Sequence, residues 1–156
     1  MKKFFQSIIV LGAVFFGSCL EPIDKTFDTR TLVEFNATVI TAPAVTKTYP
    51  LIALINKDST VNAQVNLVGR QRTGETSVTV SIDKAETTAI EGTHYKLTAG
   101  GKVTFPANTS IANFPFQTVK APAQAGVKVN IVFVLETTGD IEPSENYKKV
   151  GYAITL

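Results

Sequence analysis

The chain has 156 residues, with 15 basic side chains, 13 acidic ones, 44% hydrophobic residues, one cysteine, one histidine and no tryptophan. This length suits one domain with a real core, after any processing segment is set aside. A single cysteine excludes an intrachain disulfide, a single histidine excludes a multi-histidine metal cluster, and the charge balance gives no case for nucleic acid.

Met1-Lys2-Lys3 supplies a positive start, and Phe4 to Phe16 is a nearly unbroken apolar run. Small residues Gly17 and Ser18 lead into Cys19. This is the layout of a secretory signal, and it is short for a membrane span. The Phe16-Gly17-Ser18-Cys19 run resembles a bacterial lipobox, in which small residues precede a cysteine that is lipidated and becomes the first residue. Phe16 departs from the commonest lipobox, which has Leu there. The expectation is a signal peptide over residues 1–18 and a lipid anchor on Cys19. Two or three acyl chains, at about 0.8 kcal/mol per buried methylene, hold a protein stably on a membrane. Removal of Lys2 and Lys3 leaves 13 basic and 13 acidic residues, so the mature side-chain charge is near zero.

Residues 19–31 read as a tether. Glu21, Asp24, Lys25, Asp28 and Arg30 surround Pro22, and no apolar period is sustained. Leu20 to Asp24 is weakly similar to the acidic export signal of surface lipoproteins in Bacteroidota. The expected location is the outer membrane, and its periplasmic and surface-exposed faces both fit.

From Leu32 the apolar period is two. Val33, Phe35, Ala37 and Val39 alternate with polar residues, which predicts a strand through Val39. Pro50 confines the Thr46 to Ile55 stretch to an edge strand or a bend. Asn56 to Ser59 is turn composition. Val61 to Leu67 and Ser77 to Ile82 alternate again, separated by a polar turn over 69–75. Short strands are predicted at Tyr95–Leu97 and Lys102–Phe105. Phe114 and Phe116 share one face of Ala112 to Thr118, with Pro115 requiring a locally unpaired side. Val127, Val129, Ile131, Phe133 and Leu135 form the longest inward face. Val150 to Leu156 predicts a last strand paired inside a sheet. Seven to nine short strands without a helical stripe predict an all-β fold, an antiparallel two-sheet sandwich of immunoglobulin-like type.

The central segment is more specific. Thr88 to Tyr95 (Thr-Ala-Ile-Glu-Gly-Thr-His-Tyr) is followed by Gly101-Lys102-Val103-Thr104-Phe105-Pro106-Ala107-Asn108. This pattern resembles the Calx-beta domain, and in particular the Calx-beta-like lipoproteins of unknown function in Bacteroidota. The similarity covers about Val61 to Leu135, and residues 32–156 are assigned to the domain. The resemblance implies an immunoglobulin-like sandwich and no activity. Gly92 suits positive φ, Tyr95 buries its ring, and Val103 and Phe105 point inward together. His94 stands where Calx-beta domains usually carry Asp, and it reads as a solvent-facing strand residue. Calcium-binding members carry an acidic run at the place matching Thr118 to Gly126, which here holds no carboxylate and one lysine. No metal and no cofactor are therefore expected. The alternative is that Asp83, Glu86, Glu91, Glu136 and Asp140 gather at one end.

No nucleophile elbow, phosphate loop or zinc spacing occurs, so no catalytic residue is assigned and an enzyme is not expected. Glu86 with Glu91, and Glu142 with Glu145, read as solvated turn charges, not as a glycosidase pair. Asp58-Ser59-Thr60 matches the short signal for O-glycosylation in Bacteroidota, which makes Ser59 a candidate modification site. The competing reading is a hydrogen-bonded turn. The function expected is a non-enzymatic, lipid-anchored cell-envelope protein, a β-sandwich interaction or accessory module. Its partners would be the membrane, through Cys19, and an envelope protein or glycan. The alternative is a glycan-binding lipoprotein of a polysaccharide-uptake system, for which Tyr49, Tyr95, Tyr147 and Tyr152 are the available tyrosines.

Overall fold

The computed structural model describes residues 30–156. The expected signal peptide, Cys19 and the expected tether up to residue 29 lie outside the described residues. Ten strands and one helical turn follow in chain order. They are β1 (Thr31–Phe35), α1 (Asn36–Ile40), β2 (Leu51–Ile55), β3 (Ser59–Val68), β4 (Thr76–Ile82) and β5 (Tyr95–Leu97). Then come β6 (Lys102–Phe105), β7 (Ile111–Thr118), β8 (Lys128–Leu135), β9 (Ile141–Pro143) and β10 (Lys149–Thr155).

The strands form two five-stranded sheets, ordered β5-β7-β3-β1-β9 and β2-β10-β8-β4-β6. The two-sheet sandwich expected from the alternation is the fold observed, with ten strands rather than seven to nine and with two parallel pairings, β1 with β9 and β2 with β10, among the antiparallel ones. Its core is the alternate residues of both inner faces. Val33, Phe35, Val65, Phe114 and Phe116 from the first sheet meet Val78, Phe105, Ile131, Phe133, Leu135 and Ile154 from the second, all almost fully buried. Phe133 sits at the centre. Its ring lies 5.0 Å from Phe114, edge-on at 78°, and 5.0 Å from Phe116, which is itself 5.0 Å from Tyr152. Such tilted pairs add to the energy of burial.

Two proline expectations hold. β2 is an outermost strand and begins directly after Pro50. Pro115 lies in β7, and its carbonyl accepts from Thr98 Oγ1 at 2.9 Å. Its polar edge thus faces the side on which β5 has already ended at Leu97, and no ladder donor is lost.

Four local expectations are corrected. The strand starting at β1 stops at Phe35, and 36–40 is a helical turn, not strand. Here the chain leaves the first sheet to join the second, and the turn makes that crossing; Val39 is 43% exposed rather than inward. Val127 precedes β8 and is exposed, since the strand starts at Lys128. His94 is buried, and its Nδ1 accepts from the Ile90 N–H at 2.9 Å. It closes the tight turn before β5, which Gly92 makes possible with φ of 83°. Finally, β9 forms a strand where no alternation signals one. It has three residues, ends on Pro143 and runs parallel to β1, with Thr31 opposite Ile141.

β3 spans ten residues, about 33 Å at strand rise. Its Val68 end lies beside Leu32, where the described chain begins, and its Ser59 end lies beside Thr118. The entry point of the chain and Ser59 are therefore at opposite ends of the sandwich.

Candidate functional site

Every strand-to-strand connection passes from one sheet to the other, and two of these crossings lie together. The first crossing is α1 with the loop 41–50, and the second is the turn 144–148 between β9 and β10. Backbone bonds tie the second crossing to β1: Phe35 N–H donates to Tyr147 O at 3.0 Å, and Ser144 N–H to Val33 O at 2.8 Å. Thr38 Oγ1 donates to Lys149 O at 2.6 Å and joins the crossings to each other. Between them runs a groove of about 750 Å³, lined by Thr38 to Pro43, Thr48 and Glu145 to Lys149. Ile40 (73%), Val39 (43%) and Tyr147 (38%) are exposed at it. Sequence reading missed this site. Its apolar residues come from two distant segments, and Val39 fits a strand pattern equally well.

Beyond the groove, the loop 41–50 folds over the outer face of the second sheet. Gly151 in β10 has no side chain, and the Tyr49 ring occupies that space; a Cβ there would lie 2.9 Å from Tyr49 Cε2. The ring is 2% exposed, and its hydroxyl donates to Glu86 Oε2. Lys47 Nζ pairs with the same oxygen. Lys149 Nζ lies 2.6 Å from Asp83 Oδ2 and 3.6 Å from Glu86 Oε1. Both ammonium groups stand 5.9 Å from the Tyr49 ring centre, within cation–π range.

The charges shift one another as pairing requires. The Lys149 hydrogen bond holds Asp83 below the usual carboxylate range, and hydrogen bonds from Lys47 and then Tyr49 do the same for Glu86. Lys149 is raised, chiefly by its bond to Asp83. Burial, then the bond to Glu86, pushes the Tyr49 hydroxyl up. Two lysines and two carboxylates thus clasp the loop 41–50 to the segment after β4. Asp83 and Glu86 do come together, as the calcium alternative needs, but each is held by an ammonium group. The other acids of that alternative are elsewhere: Asp140 pairs with Arg72 at 2.7 Å, and Glu136 accepts from Ser81. Among the described residues no three His, Cys, Asp or Glu side chains gather into a possible metal site.

At the far end, Asp58 Oδ1 accepts from Lys120 N–H at 3.0 Å, and Asn56 exchanges two 2.9 Å bonds with the Ala121 backbone. The Asp58-Ser59 turn is therefore docked on the loop after β7. Ser59 itself is half-buried, at the rim of a 200 Å³ hollow that also includes Ala53, Ile55 and Thr118. Of the four tyrosines, Tyr49, Tyr95 and Tyr152 are buried; burial alone pushes Tyr152 up to about 12.

No protein-family model matches the sequence, and no curated protein matches it. Solved structures do match. The chain is similar to the apo form of the Calx CBD1 domain, with a TM-score of 0.56 and 12% identity over 81% of this chain and 96% of that one. It is similar to CBD12 from CALX1.2, with a TM-score of 0.57 and 12% identity over 80% of this chain and 44% of that one. Identity this low carries the fold alone, and the fold of this chain is a Calx-beta-like β-sandwich.

Proposed function

We propose that this protein is a non-enzymatic, lipid-anchored module of the bacterial cell envelope, held in the outer membrane through Cys19, whose sandwich binds another envelope protein. The groove between the two crossings carries the reading. It presents Val39, Ile40 and Tyr147 to solvent beside a polar rim of Thr48, Glu145 and Lys148. Apolar contacts ringed by polar ones are the composition of a protein-binding patch. The signal layout and lipobox support the anchor. An O-glycan on Ser59 would sit at the end of the sandwich remote from Thr31.

Glycan binding is favoured less. Sugar platforms need exposed aromatic faces, and Tyr147 is the one tyrosine with an appreciably exposed surface among those described. Two measurements test the proposal. Cys19→Ala should move the protein from the membrane to the soluble fraction; retention after a carbonate wash would remove the anchor. A photo-crosslinking residue at Ile40 should capture a discrete envelope protein in living cells, and one at Lys128 should not. No adduct at Ile40, together with millimolar or tighter titration of any polysaccharide, would hand the function to the glycan reading.

A further inference from the structure

Each sheet has two outermost strands, and three of the four carry the usual protection against edge-to-edge pairing. β5 has three residues and an exposed Lys96. β9 has three residues, with exposed Glu142 and then Pro143. β6 alternates exposed Lys102 and Thr104 with buried neighbours. β2 has none of these devices. Leu51-Ile52-Ala53-Leu54-Ile55 is five residues long, uncharged and free of proline, and Ile55 is 72% exposed.

The direction of its backbone groups follows from one bond. Gly151 N–H donates to Pro50 O at 3.0 Å, so the Pro50 carbonyl faces β10. By strand alternation the groups of Ile52 and Leu54 also face β10, and those of Leu51 and Ala53 face outward. The Ile55 N–H faces outward too, and its carbonyl accepts from Lys57 N–H at 2.9 Å. Among the described residues, nothing pairs with β2 on that side.

From this we infer that β2 is a self-association edge, and that its partner is β2 of a second copy of this chain. The strand is complementary to itself in antiparallel register about Ala53. Ala53 meets its counterpart, Leu51 meets Ile55, and Ile52 meets Leu54. Every facing pair is aliphatic, and no like charges oppose each other. The Ala53 N–H and C=O groups exchange bonds across the two-fold axis, and two five-stranded sheets become one continuous sheet. An isologous contact of this kind closes at two copies and does not propagate. The groove at the two crossings is a separate surface, so this inference stands or falls independently of the proposed function.

Light scattering on the full chain in detergent, corrected for bound detergent, should give the mass of two copies. Ala53→Pro should reduce it to one, because the lost N–H faces away from β10 and proline is tolerated there in the single copy. Ala53→Lys, on an exposed side chain, should do the same by opposing like charges. Opposite Cα atoms would be about 5.5 Å apart, within disulfide reach. Oxidation of the Cys19→Ala, Ala53→Cys chain should therefore yield a covalent dimer, and Cys19→Ala, Lys102→Cys should not. A one-copy mass for the unaltered chain, a two-copy mass that survives both substitutions, or equal cross-linking from position 102 would overturn the inference.

Discussion

A methyl group at position 151 would lie 2.5 Å from Leu51 Cδ2, 2.9 Å from Tyr49 Cε2 and 3.3 Å from the Pro50 carbonyl oxygen. The leucine can turn aside, but the ring is clasped and the carbonyl is backbone. Replacing a strand glycine by alanine recovers about 0.5–1 kcal/mol. Overpacking costs about 1–3 kcal/mol, so Gly151→Ala should lower stability by about 1 kcal/mol in urea unfolding. An unchanged or raised midpoint would show that Tyr49 has room to move. The clasp itself makes stability depend on pH. Asp83 and Glu86 have lowered folded values, so their contribution is fully present above their ordinary values of 3.8 and 4.5. It is lost as pH falls through the lower folded values. Lys149 is raised, so its share is complete below 10.5 and is lost as pH rises through its folded value. In Lys149→Met the urea midpoint should change less on acidification than in the unaltered chain; equal acid limbs would show that Lys149 does not hold Asp83. Of this cluster only the neighbouring pair Asp83 and Glu86 was legible in the sequence. Lys47, Asp83 and Lys149 follow no local spacing, and only the sheet brings them together.

Among the elements, β8 tests the core most directly. Phe133 is fully buried against three rings, while Lys128 opens the strand on an exposed side. Phe133→Ala should cost about 3–5 kcal/mol, and Lys128→Ala under about 0.5 kcal/mol. Equal urea midpoints would reverse the assigned face. The period-two pattern found this strand and most others because one face of each is wet. It also carried β1 too far. Asn36 to Ile40 alternates like a strand and is rich in β-branched residues, yet it turns, without a side-chain cap or a complementary charge at either end. Tertiary demand explains this: the chain must change sheets there. β9 was missed for the opposite reason, since a three-residue strand ending on proline has too short a pattern to read.

At the scale of the whole molecule, the Val103-Thr104-Phe105 segment and Gly92 pointed to the Calx-beta-like fold that the solved structures share. The order of strands within the sheets was not legible, because pairings such as β1 with β9 join segments far apart in sequence. The same molecule-wide arrangement fixes an expectation about calcium. A site needs six to eight oxygen ligands, and the two neighbouring carboxylates here are bound by lysines. Thermal melts in EDTA and in millimolar calcium should overlay. A reproducible rise of several degrees, abolished by Asp83→Asn, would show that calcium displaces Lys149.

β2 pairs with β10 in parallel, with Leu51 beside Gly151 and Ile55 beside Thr155, so each partner lies one hundred positions further along the chain. β10 is also the strand that joins β2 to β8. During synthesis, β2 therefore emerges long before its partner β10. Until β10 arrives, the second sheet lacks its link and both edges of β2 are open. Such distant pairings fold slowly. β2 must therefore stay unpaired until the hundred residues that follow it have been made. A holding factor that shields Leu51 to Ile55 during that interval would guard the segment most prone to sticking to its neighbours.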